Sequence, residues 1–484
     1  MKNMTARLFA FLLVFAFVST PVWATCGGGG GGGGGGMSGN NGSGGDPTVY
    51  FVPWKLADPA KPVTSGLILY WFPASKEELR GSPLKESRDL SLYATQCVAM
   101  QLADQRVPNA DALLGNSQLP VAVLADPTGK VIGKVDNKDG KLSLPAVEKL
   151  VGTEVKTRKA DADTQLKDGK AAEASGNKDA AIKAFQTVLA NRCMVPDKAK
   201  EAAKELKKLG VENVGELPAS PNMDPAFTKR IVKVMKDGLR AENADKYELA
   251  AKLYSQAVAM DPADPTPLRY LAELYRHDIG DWDKAKIDFH RILDMPADEL
   301  SRAVALHGLG KITIHEGEFK KGLHLMEQSA DVYPLTLAYR NLAVYWNSEH
   351  DFTKANFYTD KAIALDPTDP YNQVFAAVFK AMNGHKDEAL AIANANTNLK
   401  GAAYNLAAIY AVNGDRDKAL EMLRRHFYEY ERYQQVRSKE MMEARVDAVF
   451  DSLRADSAFL DLTRYADGRL PMPTAGGSAM PMNQ

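Results

Sequence analysis

Bulky and small side chains recur along residues 162–423 in a pattern that predicts pairs of amphipathic helices. DKYELAAKLYSQAVAMDP at 245–262 and DFTKANFYTDKAIALDP at 351–367 share one order of aromatic, small and bulky residues before a proline. Bulky residues three or four apart form one helix face, and the proline ends the helix. A small residue marks the same place in each copy: Ala181, Ala250, Ala285, Gly322, Ala355, Ala389 and Ala419. Their spacings of 69, 35, 37, 33, 34 and 30 indicate a repeat of about 34 residues, typical of a stacked solenoid.

A second helix is predicted before each turn, because Leu-small pairs such as Leu271-Ala272 and Leu342-Ala343 precede it. The two helices together resemble the tetratricopeptide repeat (TPR) family, whose pattern is W-x2-L-G-x2-Y, then A-x3-F, then P. The sequence departs from that family at Gly322, which stands where the family has alanine. The resemblance implies an all-α TPR solenoid of antiparallel helix pairs with a concave, partner-binding face.

Residues 48–156 change to strands that alternate with helical stretches, which predicts a separate α/β domain. GLILYWF at 66–72 and the stretch 98–102 are predicted strands, and LPVAVLADPTGKVIGKV at 119–135 predicts two strands joined by a turn. A short helix over 144–150 is expected to close the domain. This order resembles the thioredoxin-like fold, in which Pro120 would be the counterpart of the family's cis proline.

The thioredoxin-like resemblance departs from the family at the place that carries redox chemistry. Redox members have Cys-x-x-Cys at the start of the helix after the first strand, where the helix dipole favours the thiolate. Residues 72–77 read FPASKE, without sulfur. We therefore expect a domain that has this shape and lacks the redox activity.

The N-terminus predicts export. Lys2 and Arg7, an apolar run over 8–18 and Val22-Trp23-Ala24 form a signal peptide over 1–24. A Gly-rich flexible linker follows over 25–47. Cys26 leaves open an alternative, because a cysteine before glycines resembles the lipidated residue of a bacterial lipoprotein, and acyl chains there would hold the protein at a membrane.

The remaining boundaries follow from changes in composition. We expect a first TPR-like unit with a charged helix at 162–210, a Pro-rich connector at 211–224, a TPR solenoid at 225–427, C-terminal capping helices at 428–466 and a disordered tail at 467–484.

The net charge narrows the possible partners, and the cysteine content narrows the possible thiol chemistry. The net charge of −1 gives no general attraction to nucleic acid or to a membrane. Three cysteines are too few for a disulfide framework, so Cys97 and Cys193 are each expected to be small buried side chains. A thiol-disulfide oxidoreductase acting through Cys97 remains the enzymatic alternative.

No catalytic, cofactor or metal motif is present in the sequence, so none of these sites is predicted. His307 and His315 are poor candidates for metal ligands, because two helical turns place them roughly 12 Å apart. The remaining candidate for a functional site is a binding surface. Position in the TPR pattern places these residues on the concave face: Arg269, Glu273, Arg276, His277, His307, Lys311, His315, Arg340 and Asn347.

Cations and histidines outnumber the single carboxylate in this set, and this favours an acidic peptide as the partner. We expect the peptide to bind more tightly below about pH 6.5, because the histidines become positively charged there. A basic helix face without a ligand is the other interpretation. The sequence as a whole predicts an exported, non-enzymatic scaffold with a protein or peptide partner, no nucleic acid, and a membrane only if Cys26 is lipidated. An envelope lipoprotein that assembles membrane complexes is the further alternative.

Overall fold

The computed structural model describes residues 47–464, apart from 213, 214, 216, 218, 366, 368, 432 and 433. The predicted signal peptide, Gly-rich linker, Cys26 and tail at 467–484 lie outside the described residues. The chain divides into two compact units. The N-terminal unit contains described residues up to 271 together with 288–305, and the C-terminal unit contains 272–287 together with 306–464.

A small mixed sheet lies near the N-terminus. Its strands are β1 (Lys55–Leu56), β2 (Leu67–Phe72), β3 (Val98–Leu102), β4 (Val121–Ala125) and β5 (Val131–Asp136). Their order is β1-β3-β2-β4-β5, with β1, β3 and β2 parallel and with β4 and β5 antiparallel to their neighbours. Every residue of β4 is buried, as its continuous apolar sequence requires. The strands predicted at 66–72, 98–102 and 119–135 are confirmed, whereas the two-residue β1 was not predicted.

The helices around the sheet are α1 (Lys76–Gly81), α2 (Arg88–Thr95), α3 (Ala110–Leu114) and α4 (Leu144–Ala174). The Leu119–Pro120 peptide bond is cis, as the thioredoxin-like resemblance implies. The prediction of a short closing helix at 144–150 is wrong, because α4 continues for 31 residues through the expected domain boundary. Pro145 lies in the first turn of α4, where a helix accepts proline, and no proline follows it within the helix. Gly152 faces Tyr93 so closely that a Cβ would lie 2.6 Å from its hydroxyl.

Cys97 and Cys193 form a disulfide within the N-terminal unit. Their Cα atoms are 5.8 Å apart although 96 residues separate them in the chain. The prediction that both are unpaired side chains is therefore wrong. Cys97 lies between α2 and β3, and Cys193 lies just after the helix over Lys178–Ala190. The disulfide thus ties the sheet region to the first repeat-like unit.

Arg88 makes a second connection within the same unit. Its guanidinium donates to Asp261 Oδ2 at 2.6 Å and to Asp264 Oδ2 at 3.0 Å. It also donates to the carbonyl oxygen of Asn222 and to Thr228 Oγ1. All three guanidinium nitrogens therefore have partners between Asn222 and Asp264, in the connector and the repeat that follows it, although Arg88 belongs to the α/β region.

The rest of the described chain is mostly helical. The helices are α5 (Lys178–Ala190), α6 (Pro196–Lys208), α7 (Pro225–Asn243), α8 (Tyr247–Met260), α9 (Pro265–Leu274), α10 (Trp282–Asp294), α11 (Glu299–His315), α12 (Phe319–Val332), α13 (Thr336–Ser348), α14 (Phe352–Leu365), α15 (Pro370–Met382), α16 (Lys386–Ala395), α17 (Ala403–Asn413), α18 (Arg416–Arg425), α19 (Gln434–Val446) and α20 (Ser457–Leu462). Single π-helical turns follow α9 and α18, and a 3-10 helix at Ala448–Leu453 follows α19.

Consecutive helices pack as TPR-like pairs, and the repeating small residues lie at their contacts. Each of these residues is buried on the second helix of a pair, as the 34-residue period predicts: Ala181, Ala250, Ala285, Gly322, Ala355, Ala389 and Ala419. Gly322 has no room for a side chain, because a Cβ there would lie 2.5 Å from the carbonyl oxygen of Gly310 in α11. The departure from alanine at this position therefore follows from the close approach of α11 and α12.

The C-terminal residues complete the core of the last pair. Phe450, Phe459 and Met441 are buried in one apolar cluster with Leu406 and Phe427 of the preceding segment. The sequence predicted capping helices at 428–466, and α19, the 3-10 helix at Ala448–Leu453 and α20 lie within these bounds.

Candidate binding face of the C-terminal unit

The first helices of the C-terminal pairs are α11, α13, α15 and α17, and the predicted binding residues lie on or beside them. His307, Lys311 and His315 are on α11, and Arg340 and Asn347 are on α13. Asn347 is half-buried, whereas the other four are at most 8% exposed. The predicted cations therefore do not stand free in an open groove, since other parts of the unit pack around them.

Two of the predicted residues lie on the π-helical turn Tyr275–Ile279, which the periodic pattern did not anticipate. Arg276 is buried and forms a two-pronged ion pair with Glu273, with Nε–Oε1 and Nη2–Oε2 distances of 3.1 and 2.8 Å. His277 is half-buried, and its Nδ1 lies 3.2 Å from Asp278 Oδ1. Arg269 belongs to the N-terminal unit, where it is 1% exposed and stacks over Tyr270 at 5.7 Å.

Side chains of α11 contact those of α13 directly. Asn341 Nδ2 lies 2.8 Å from His307 Nε2, so the amide donates to the ring nitrogen. Lys311 Nζ donates to the Tyr345 hydroxyl at 3.1 Å. We define Arg276, Lys311 and Arg340 as the basic cluster.

Carboxylates from the C-terminal segment act on this basic cluster. Glu440 of α19 is fully buried, and its Oε2 lies 2.9 Å from His426 Nε2. Burial lowers the pKa of Lys311 to about 8, and Glu443 and Glu440 oppose that shift. Burial followed by the same two carboxylates raises the pKa of Tyr345.

His307 does not belong to the acid-charged surface that the sequence predicted. Burial, followed by the positive charges of the basic cluster, holds the pKa of His307 well below its ordinary value. His307 is therefore neutral at pH 6.5, where we expected it to charge. Burial opposes the charging of His277, but Asp278 outweighs it and raises the pKa of that ring.

A small cavity opens on α13, α15 and α17 of the same unit. Its volume is about 50 Å³, and the 3-10 segment that begins at Ala448 contributes to one side. The lining residues are Val344, Asn347, Phe375, Val378, Phe379, Tyr404, Asn405, Ala408, Asp447 and Val449.

The cavity combines an apolar floor with a polar edge. Phe375 and Phe379 of α15 pack edge to face, with ring centroids 5.3 Å apart. At the edge, the Tyr404 hydroxyl donates to Asp447 Oδ2 at 3.1 Å, and burial raises the pKa of Asp447. The side-chain amides of Asn347 and Asn405 also line this cavity. Of these residues, the sequence analysis identified only Asn347.

The positions relevant to redox or metal chemistry have other roles in the described structure. Ser75 caps α1, accepting a hydrogen bond from the Glu78 amide at 3.1 Å, and Cys97 is bonded to Cys193. Among the residues that the structure describes, no group of three or more His, Cys, Asp or Glu side chains is arranged to hold a metal ion. Within the same residues, none of the helices has both the length and the apolar character needed to cross a bilayer.

No family model matches this sequence. Over 178 residues the chain is 25% identical to the protein CTR9 homolog of Arabidopsis thaliana, a match that covers 37% of this chain and 14% of that protein. The chain therefore spans only a small part of the length of the curated relative it matches.

Solved structures with similarity to the chain include several TPR proteins. One from Parabacteroides merdae is 14% identical, with 58% of this chain and 98% of that chain covered and a TM-score of 0.32. TTC0263 of Thermus thermophilus is 20% identical, with 40% and 99% covered and a TM-score of 0.30. YrrB, a TPR protein with an unusual peptide-binding site, is 21% identical, with 38% and 96% covered and a TM-score of 0.26. At these TM-scores the likeness carries no information about a ligand.

Proposed function

We propose that this protein is an exported, non-enzymatic scaffold that binds a protein or peptide partner on the first helices of its C-terminal repeat pairs. The observation that carries this proposal is the cavity on α13, α15 and α17. Its volume of about 50 Å³ exceeds the roughly 15 Å³ that one water molecule needs, so it has room for a small apolar side chain.

The chemistry of the cavity suits an extended peptide. Asn347 and Asn405 carry side-chain amides, which both donate and accept hydrogen bonds as peptide backbone groups do. Phe375 and Phe379 supply an apolar surface for a side chain of that peptide. Apolar pockets with a few convergent polar groups are the usual form of a binding site.

The partner is expected to be acidic near the basic cluster, because Arg340 lies on α13 together with Asn347 of the cavity edge, and Lys311 of α11 donates to Tyr345 of α13. Arginine and lysine form charge-assisted hydrogen bonds with carboxylates. A net charge of −1 supplies no general attraction for nucleic acid, so the proposed partner is a protein or peptide.

A capture experiment tests the binding site. The double variant Asn347→Ala with Asn405→Ala removes both amides, and Asn383→Ala removes an exposed amide at the end of α15 as a matched control. We expect the double variant to lose about tenfold or more in affinity for the partner captured from the native extract, because two backbone hydrogen bonds are lost. Undiminished capture by a variant with an unchanged melting temperature contradicts the proposal.

Export is supported by the Cys97–Cys193 disulfide, since disulfides persist in oxidising compartments and are rare in the cytosol. Signal-peptide cleavage after Ala24 would then release a soluble protein, whereas lipidation of Cys26 would anchor it to a membrane. Mass spectrometry of the mature N-terminus distinguishes the two, because acyl mass on Cys26 indicates the anchored form and a free Thr25 terminus indicates the released one.

We further propose that the N-terminal α/β region is a thioredoxin-like domain without redox activity. The strand order β1-β3-β2-β4-β5, with three parallel strands followed by two antiparallel ones, supports this assignment. Ser75 caps the helix after β2 where a redox member has its first cysteine. An insulin-reduction assay with a Cys97→Ser control tests it, and activity that disappears on substitution would favour the oxidoreductase alternative.

A further inference from the structure

A single charged side chain lines the cavity on α13, α15 and α17. It is Asp447, and every other lining residue is apolar or neutral. Asp447 is half-buried, so its carboxylate is partly withdrawn from water and is still open to a ligand. The wall of the cavity therefore carries one negative charge and no positive charge.

The hydrogen bonds that Asp447 makes within the protein do not require its charge. Its Oδ2 accepts from the Tyr404 hydroxyl at 3.1 Å, and its Oδ1 accepts from the Val449 amide at 3.2 Å. An asparagine would make both contacts, because its amide oxygen accepts from the Val449 amide and its NH2 group donates to the hydroxyl oxygen. The carboxylate thus has a negative charge that these two contacts leave unused.

Among the described side chains, no Lys, Arg or His nitrogen lies within ion-pair distance of the Asp447 carboxylate. The arginines that lie near it in the chain have other partners. Arg454 pairs with Asp451 at 2.5 Å, and Arg445 donates to Thr463 Oγ1 at 2.9 Å. A partly desolvated carboxylate gains from an opposite charge nearby, so the cavity favours a positively charged ligand.

The apolar wall of the cavity suits the stem of a lysine side chain. Methylene groups of lysine pack on apolar surface while the ammonium stays at a polar edge, and aromatic rings such as those of Phe375 and Phe379 attract a cation. At roughly 15 Å³ for each water-sized group, the volume of about 50 Å³ holds about three such groups. The end of a lysine side chain, Cδ, Cε and Nζ, has this size, whereas the planar guanidinium of arginine spreads over more atoms.

We propose that the cavity selects a lysine side chain of the partner, with its stem against Phe375 and Phe379 and its ammonium on the Asp447 carboxylate. This inference rests on the proposed binding function of the same face and specifies the residue that the partner inserts. The amides of Asn347 and Asn405 bind the peptide backbone at that residue. The partner then combines carboxylates beside the basic cluster with a lysine at the cavity, and the two opposite charges fix its register on the helices.

Binding of short peptides to the full chain tests this selection. The probe is capped Ala-Ala-Lys-Ala-Ala. In two matched peptides the lysine is replaced by norleucine, which keeps the stem without the ammonium, or by Nε-acetyl-lysine, which carries no charge. Saturation-transfer NMR titrations measure the three affinities. We expect the lysine peptide to bind about tenfold more tightly than either neutral peptide, because it alone forms the ion pair. Equal affinities, or tighter binding of a neutral peptide, overturn the inference.

A charge variant locates the selection at Asp447. Asp447→Asn removes the charge and retains the contacts with Tyr404 and Val449, whereas Asp451→Asn removes an exposed carboxylate from the same 3-10 segment as a matched control. We expect Asp447→Asn to bind the lysine peptide only as tightly as the norleucine peptide. Its affinity for the norleucine peptide should equal that of the wild type, which shows that the cavity is intact. Asp451→Asn should keep the wild-type preference. A lysine preference that survives in Asp447→Asn overturns the inference.

These outcomes separate the inference from the proposed function. If capture of the native partner depends on Asn347 and Asn405 while the three peptides bind equally, the binding face stands and the selection of lysine is wrong. If none of the peptides binds, the selection of lysine is also overturned, and the capture experiment decides the proposed function independently.

Discussion

Arg88 of α2 and Asp261, which follows α8, form a buried ion pair in the N-terminal unit. The Nη2–Oδ2 distance is 2.6 Å, and the two side chains are 1% and 4% exposed. Asp264 lies 3.0 Å from Nε of the same guanidinium and also accepts from the Tyr50 hydroxyl at 2.9 Å. This network fixes the α/β region to the repeat that contains α7 and α8.

Arg88→Ala should destabilise the N-terminal unit by about 3–5 kcal/mol, because it leaves two buried carboxylates without their cation. Arg106→Ala is the control, since Arg106 pairs with Asp104 at a half-exposed site and should cost at most about 1 kcal/mol. Urea unfolding followed by the fluorescence of the buried Trp54 and Trp71 measures both. Equal losses in the two variants would contradict the account.

Reduction of the Cys97–Cys193 disulfide should lower the free energy of unfolding by about 2–4 kcal/mol, because the cross-link closes a long loop in the unfolded chain. Melting with and without dithiothreitol measures the effect. The double variant Cys97→Ser with Cys193→Ser should melt as the reduced protein does and should not respond to the reductant. A wild-type protein with the same melting temperature in both conditions would show that the bond is absent or unimportant.

His307 should make the C-terminal unit less stable in acid. Its folded pKa lies well below the ordinary value, so between that pKa and about pH 6.5 the unfolded chain binds a proton that the folded chain excludes. The free energy of unfolding therefore falls as the pH drops from 7 to 5. We expect His307→Gln to reduce this fall by roughly 1–2 kcal/mol, whereas His385→Gln, at an exposed site, should leave it unchanged. Identical pH profiles for both variants would refute the role of His307.

Gly322→Ala should destabilise the α11–α12 pair by about 1–3 kcal/mol, although alanine occupies this place in the other repeats. The new methyl group would meet the Gly310 carbonyl oxygen at 2.5 Å and Ile314 Cγ1 at 2.6 Å. Gly81→Ala is the control, since nothing lies within 4 Å of a Cβ at the end of α1. Thermal melting distinguishes them, and a more stable Gly322→Ala protein would contradict the close packing described here.

Local periodicity made the repeats predictable from the sequence. Ala250 and Ala355 hold the same position in two copies of a unit that one helix pair spans, so their burial follows from the pattern of their neighbours in the chain. The strand β4 was predictable for a similar reason, because five consecutive apolar residues need cover on both faces.

Features that depend on distant contacts were not predictable in this way. Cys97 and Cys193 are 96 residues apart, and no spacing rule identifies such a pair. Glu440 of α19 is buried, although a charged residue in a sequence is normally predicted to be exposed. The cavity is lined by Asn347 and Asn405, which belong to different repeats. The residue pattern within one helix does not predict which residues of another repeat lie beside it.

Photocrosslinking tests the central claim most directly, because it reports where the partner lies. A diazirine-bearing residue replaces either Val344, which lines the cavity on α13, or Phe357, which is 52% exposed on the second helix α14. After irradiation in the native extract, we predict a specific cross-linked protein or peptide from position 344 and none from position 357. A partner that cross-links from position 357 and not from position 344 would contradict binding on the first helices.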